Sequence, residues 1–193
     1  MPTEPVAGSA SRAGPAFADL PSQDEDGDWL AVIEAGQGSS NKLKYDVERG
    51  VFMLHGVLPL GVSFPYDFGF LPSTLGDDGD PLDVLVLMDE PVAPGTVVPC
   101  RLIGVIEARQ RKRRGAKWKR NDRLLAVAAK THRYPAVRRL ADIAPPVLDE
   151  IERFFVFYNA QKGADFEPIG RGDAKAAKAL VSDGQRRYRA GHA

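Results

Sequence analysis

Apolar and polar residues alternate with a period of two over residues 43–47, and a short apolar run over residues 29–34 ends in Glu34. Both patterns predict strands. Glu48-Arg49-Gly50 supplies turn residues before a further run over residues 51–58, so the two flanking segments are expected to form a hairpin. Beyond a loop rich in glycine, proline and aromatics, residues 83–88, 96–106 and 123–129 are dense in valine, leucine and isoleucine, which brings the expected strands to about six. The period changes in the last third. Leu148, Ile151, Phe155 and Tyr158 recur every three or four residues between Pro145-Pro146 and Gly163, which predicts an amphipathic helix. A second helix is expected from Asp173 as N-cap, with Ala177, Leu180, Val181 and Tyr188 on one face and Gly184 inside it at a cost of about 1 kcal/mol. Strands first and helices last point to the α+β class, mainly β: a closed or nearly closed barrel with the C-terminal helices packed on its outside.

The segment before this pattern is different. Residues 1–28 are rich in proline, alanine, serine and glycine, carry six acids against Arg12, and have Phe17 and Leu20 as their apolar bulk. Such a stretch buries too little surface to offset its ordering entropy, so a flexible acidic tail is expected there and an ordered domain over residues 29–188. With 44% hydrophobic and 27% charged residues, the chain of 193 suits a single soluble domain. Its apolar runs are far shorter than the roughly 20 residues that cross a bilayer, so no membrane span is expected. The absence of a basic head followed by an apolar stretch, together with a single cysteine, Cys100, points by default to a reducing, cytoplasmic setting.

The formal charge of zero conceals an uneven distribution: residues 109–123 hold nine lysines and arginines against Asp122. A solvated surface loop is one reading of this run. The other is a nucleic-acid contact, with the cations on the phosphate backbone and Trp118 stacking on a base.

The most informative stretch is Gly76-Asp77-Asp78-Gly79-Asp80-Pro81-Leu82-Asp83, which gathers four carboxylates at the mouth of an apolar strand. Pro81 biases Asp80 toward extended backbone, and Gly79 permits the tight turn that draws Asp78 and Asp83 together. Crowded carboxylates repel unless one stays protonated or a cation joins them, and an all-oxygen cluster suits Mg²⁺, Mn²⁺ or Ca²⁺. On composition alone, a solvated turn is equally consistent.

In order and spacing, Glu34, Lys44-Tyr45, Phe64-Pro65, Phe68-Gly69-Phe70, the run from Asp78 to Leu85, Pro94-Gly95, Arg101, Ile103-Gly104-Val105, Phe154-Phe155 and Tyr158 resemble the soluble family I inorganic pyrophosphatases. The resemblance implies an OB-like five-stranded barrel with flanking helices, Mg²⁺-dependent hydrolysis of pyrophosphate to two phosphates (Mn²⁺ as a substitute), and assembly into a homo-oligomer. It also implies roles. Asp78 and Asp83 would ligate metal, Asp80 would join them and take a proton from the attacking water, and Glu34 would bind metal through water. Lys44, Arg123 and Tyr158 would contact phosphate, and Asp46 would supply a further active-site acid.

The chain departs from the family pattern where an arginine is replaced by Gly56 beside His55, a tyrosine by Phe68, a lysine by Asn159, and an acidic pair with Asp-x-Lys by the basic run and Asn121-Asp122-Arg123. Two further readings therefore stay open beside pyrophosphate hydrolysis: a hydrolase or binder of another phosphorylated anion, and a catalytically silent module that binds nucleic acid through the basic run.

Overall fold

The computed structural model describes residues 16–113 and 115–191. Nine strands and two α-helices follow in order: β1 (Trp29–Ala35), β2 (Asn41–Asp46), β3 (Val51–Val57), β4 (Asp67–Leu71), β5 (Leu82–Leu87), β6 (Val97–Arg111), β7 (Lys119–Arg120), β8 (Arg123–Ala128), α1 (Pro145–Ala160), β9 (Asp165–Asp173) and α2 (Ala174–Gly191). β1 pairs with β4, β4 with β5, β5 with β8, β8 with β6 and β6 with β1, so five strands close into a ring. This is the expected barrel. β5 and β8 run parallel, whereas the other pairings in the ring are antiparallel.

Alternation explains how two helices are held. On β5 and β8, Leu85, Leu87, Leu125 and Val127 pack with Ile151 and Phe155 of α1, while Val84, Val86, Leu124 and Ala126 pack with Ala177 and Val181 of α2. Asp173 caps α2 as expected, its Oδ1 accepting the amide of Ala176 at 2.9 Å. β4 lies so close to β1 that a Cβ on Gly69 would stand 1.9 Å from the carbonyl oxygen of Val32, a contact that admits glycine alone.

Three strands were not expected. β4 lies in the glycine- and aromatic-rich segment, β7 is a two-residue pairing, and β9 contains Pro168, Gly170 and Gly172 yet pairs along β6 from Gly104 to Arg111. Part of the segment expected as a tail, residues 16–28, is packed on the domain. Residues 1–15 lie outside the described residues, but from residue 16 the chain packs: Phe17 meets the rings of Tyr45 and Phe52, Ala18 is buried, and Gln23 bridges to Trp29. Aromatic partners on β2 and β3 provide the burial that composition alone did not promise.

Candidate active site

The acidic turn is built from three supports. Gly79 takes φ 95°, the amide of Gly76 donates to the carbonyl of Asp80 at 2.7 Å, and the amide of Asp80 donates to Asp78 Oδ1 at 3.2 Å. The entry to β5 is pinned by Thr74, whose Oγ1 donates to the carbonyl of Leu71 at 2.6 Å and accepts the amide of Leu82 at 3.0 Å. From α2, the carbonyl of Gly184 accepts the amide of Leu75 at 3.1 Å, and Arg187 Nε donates to the carbonyl of Leu75 at 2.7 Å. A Cβ on Gly184 would come within 2.8 Å of Leu82 Cδ1. The helix-weakening glycine is thus where α2 approaches the turn.

The parallel register of β5 and β8, Val84 opposite Leu124, places Asp83 beside Arg123, with 2.6 Å between Asp83 Oδ2 and Arg123 Nη1. The guanidinium of Arg123 lies over Phe155 and Phe166, 4.9 and 5.1 Å from their ring centres, and also donates to the carbonyls of Asn121 and Asp122. Burial raises the carboxyl of Asp83 above its usual range; Arg123 and Lys42 pull it down, and Asp78 and Asp80 push it further up.

Across the turn stands β2. Lys42 and Lys44 share one face of that strand, and Lys44 Nζ meets Asp80 Oδ1 at 2.7 Å. Glu34 is 7% exposed on β1, and its Oε1 accepts the amide of Tyr45 at 2.7 Å. Burial pushes the Glu34 carboxyl up to about 7 against that hydrogen bond, with Asp83 adding to the rise. Tyr158, buried near the end of α1, receives a hydrogen bond from Lys162, whose ammonium also sits 3.5 Å from the centre of the tyrosine ring. Burial, then the neighbouring Lys42 and Arg123, lowers Lys162 to about 7. For Lys42, the pull of burial is outweighed by Tyr158, Asp83 and Glu34, and its pKa rises.

These groups line one cavity of about 890 Å³, which brings together Glu34, Lys44, Asp78, Asp80, Asp83, Arg123 and Tyr158 of the expected set. Asp46 is not among them. Its carboxylate accepts the backbone amide of Arg49 at 2.9 Å and pairs with the Arg49 guanidinium at 2.6 Å, closing the β2–β3 turn instead. Asp122 also turns away, accepting the amide of Ala108 at 2.8 Å and pairing with Arg120 at 2.5 Å, so it does not stand in for the acid replaced by Asn121. Sequence reasoning missed Lys42 and Lys162. Strand alternation from Lys44 points to the first, and the four-residue spacing from Tyr158 points to the second.

The inorganic pyrophosphatase family model matches residues 31–189. The chain belongs to the inorganic pyrophosphatase family. It is 39% identical over 170 residues to an inorganic pyrophosphatase of Nostoc sp., covering 88% of this chain and 97% of the relative. It is 40% identical over 149 residues to that of Thermus thermophilus, covering 76% and 82%. The crystal structure of the Thermus thermophilus inorganic pyrophosphatase superposes with a TM-score of 0.82 at 35% identity, covering 91% of this chain and 99% of that one.

Pyrophosphatases of this family depend on metal. The donors present suit such an ion: Asp78, Asp80 and Asp83 offer only carboxylate oxygens, and Asp83 is close enough to the other two for their charge to raise its pKa. Among the described residues no three acid, histidine or cysteine side chains already meet at one point, because Asp80 leans on Lys44 and Asp83 on Arg123. A bound cation would take over the role that these two ammonium and guanidinium groups fill.

The nucleic-acid reading of the basic run finds no support in this arrangement. Arg109 and Arg111 lie over the ring of Trp118, 4.8 and 4.6 Å from its centre, and pair with Glu167 and Asp165 of β9. The one aromatic of the run is thereby covered by its own neighbours. Among the described residues, no helix is long and apolar enough to cross a membrane.

Proposed function

We propose that this chain hydrolyses inorganic pyrophosphate to two phosphates at the cavity between the acidic turn and β2. The observation that carries the reading is that Asp78, Asp80 and Asp83 line one cavity together with Lys42, Lys44, Arg123, Tyr158 and Lys162. Pyrophosphate is a polyanion whose phosphorus is shielded by its own oxygens, so the site must both neutralise charge and deliver a deprotonated water. Asp78, Asp80 and Asp83 would hold Mg²⁺, with Mn²⁺ as a substitute, and the ion supplies charge neutralisation and a lowered pKa for water. Asp80, at the exposed edge of the turn, would accept the proton of the attacking water. Lys42, Arg123 and Tyr158 would hold the phosphate oxygens, and Lys162, which lines the same cavity, would steady the oxygen that takes the electron pair of the broken P–O bond. The hydroxyl of water ends on one phosphorus and its proton on the other phosphate.

A cytoplasmic homo-oligomer fits this reading, and the exposed apolar residues of the β3 segment, Val51, Met53, Leu54, Val57 and Leu60, support self-association. The test is phosphate release from pyrophosphate with Mg²⁺, with Mn²⁺ and with EDTA. Asp80→Asn should lower kcat by about 10²–10⁴-fold. Release that persists in EDTA, or an Asp80→Asn variant as fast as the wild type, overturns the assignment.

A further inference from the structure

Six cations on the cavity wall, Lys42, Lys112, Arg113, Lys117, Lys119 and Lys162, have no carboxylate partner among the described residues. Of the acids in the same cavity, Asp80 pairs with Lys44 and Asp83 with Arg123, while Glu34 and Asp78 accept the backbone amides of Tyr45 and Asp80. Three of the six belong to the segment between β6 and β7 and Lys119 opens β7, so the cations line the cavity from β2 to that segment. Like charges gathered in one concavity repel, and a bound polyanion relieves that repulsion.

A second observation comes from a different residue. Arg123 is 4% exposed and lines the cavity, and its Nε is a buried nitrogen with no hydrogen-bond acceptor. An arginine N–H buried without an acceptor costs free energy that a phosphate oxygen would restore. The volume, about 890 Å³, is that of a site for a ligand much larger than pyrophosphate. An organic base finds little ring face to stack on, because Phe64, Phe68, Phe70 and Phe155 of the cavity wall are each buried and Tyr158 is covered by Lys162.

We propose that the cavity binds a linear inorganic polyphosphate of three or more units in preference to pyrophosphate, with its terminal anhydride over Asp78, Asp80 and Asp83 and the remaining phosphates along Lys112, Arg113, Lys117 and Lys119. The chemical step rests on the hydrolytic reading given above; the ligand assignment does not. Water adds to the terminal phosphorus, and the bridging P–O bond breaks with its electron pair on the shortened chain. Water's proton ends there too, giving phosphate and a chain one unit shorter.

Binding is measured by titration calorimetry in EDTA, with tripolyphosphate, pyrophosphate and adenosine triphosphate as probes. Tripolyphosphate should bind about tenfold tighter than pyrophosphate, the size of one charge-assisted contact, and the Lys112→Gln/Arg113→Gln/Lys117→Gln variant should erase that advantage. Equal affinities in the wild type, or an advantage that survives in the variant, overturn the proposal. Adenosine triphosphate binding tenfold tighter than tripolyphosphate overturns the inorganic chain in favour of a nucleotide. Phosphate release in Mg²⁺ separates the two assignments. The binding advantage without release from any probe overturns hydrolysis and keeps the ligand, whereas release from pyrophosphate without the advantage overturns the ligand and keeps hydrolysis.

Discussion

Glu34→Gln removes an ionisable group from a buried position while keeping an acceptor for the amide of Tyr45, which Oε1 of the glutamate engages at 2.7 Å. Burial holds the native carboxyl at about 7, against 4.5 for the free side chain. A raised native pKa means that the folded chain keeps a proton which the unfolded chain gives up. The associated stability is fully present below pH 4.5 and is lost as pH rises through 7. At about 1.36 kcal/mol per pH unit, the gap comes to roughly 3 kcal/mol. The glutamine has nothing to ionise, so the two proteins should be equally stable near pH 4.5 and the variant should be ahead by roughly 3 kcal/mol at pH 9. Urea unfolding at a series of pH values, in EDTA so that no cation contributes, reads the difference directly. A difference that stays flat with pH, or a wild type that gains on the variant as pH rises, refutes the reasoning that burial governs this carboxyl.

Other positions give equally direct tests. Arg123→Met strands the carboxylate of Asp83, and should cost about 3–5 kcal/mol, or roughly 10 °C in melting temperature, while Asp83→Leu in the same chain should restore most of it. Gly184→Ala improves helix propensity but pushes a methyl against Leu82 and Thr74 beside the acidic turn, so it should lower stability by about 1–2 kcal/mol; a raised melting temperature would count against the close-approach account. Asp46→Ala should leave pyrophosphate turnover unchanged, since its carboxylate serves the hairpin turn, and a large loss of kcat would return it to the site.

Local pattern carried much of this molecule. The period-two and apolar runs located six strands because most of them bury at least one face, β3 excepted, and the acidic turn stood out because aspartate, glycine and proline have few other reasons to crowd together. What stayed hidden depends on partners distant in sequence. β9, with a proline and two glycines, is a strand because β6 extends far enough to pair with it and because Arg109 and Arg111 meet Glu167 and Asp165 across the pair. The same pairing turns residues 109–111 of the apparent loop at residues 109–123 into strand. Asp46 and Lys44 illustrate the limit for the site: strand alternation sets Lys42, Lys44 and Asp46 on one face, but Asp46 is the last residue of β2 and its carboxylate is drawn to Arg49 in the turn, away from the cavity that Lys42 and Lys44 line.

The parallel pairing of β5 with β8 has a consequence for how such a protein can change. Asp83 and Arg123 are fixed relative to each other by strand register, whereas the stretch joining β6 to β8 leaves β6 beyond its last pair with β9, Arg111 with Asp165. Residues can be added to or deleted from that stretch without disturbing the carboxylates at the reacting end. The length of anion accommodated and the chemistry performed on its terminus are therefore separately adjustable, and descendants of one ancestral barrel could diversify their substrates by insertions at a single position while inheriting the same reaction.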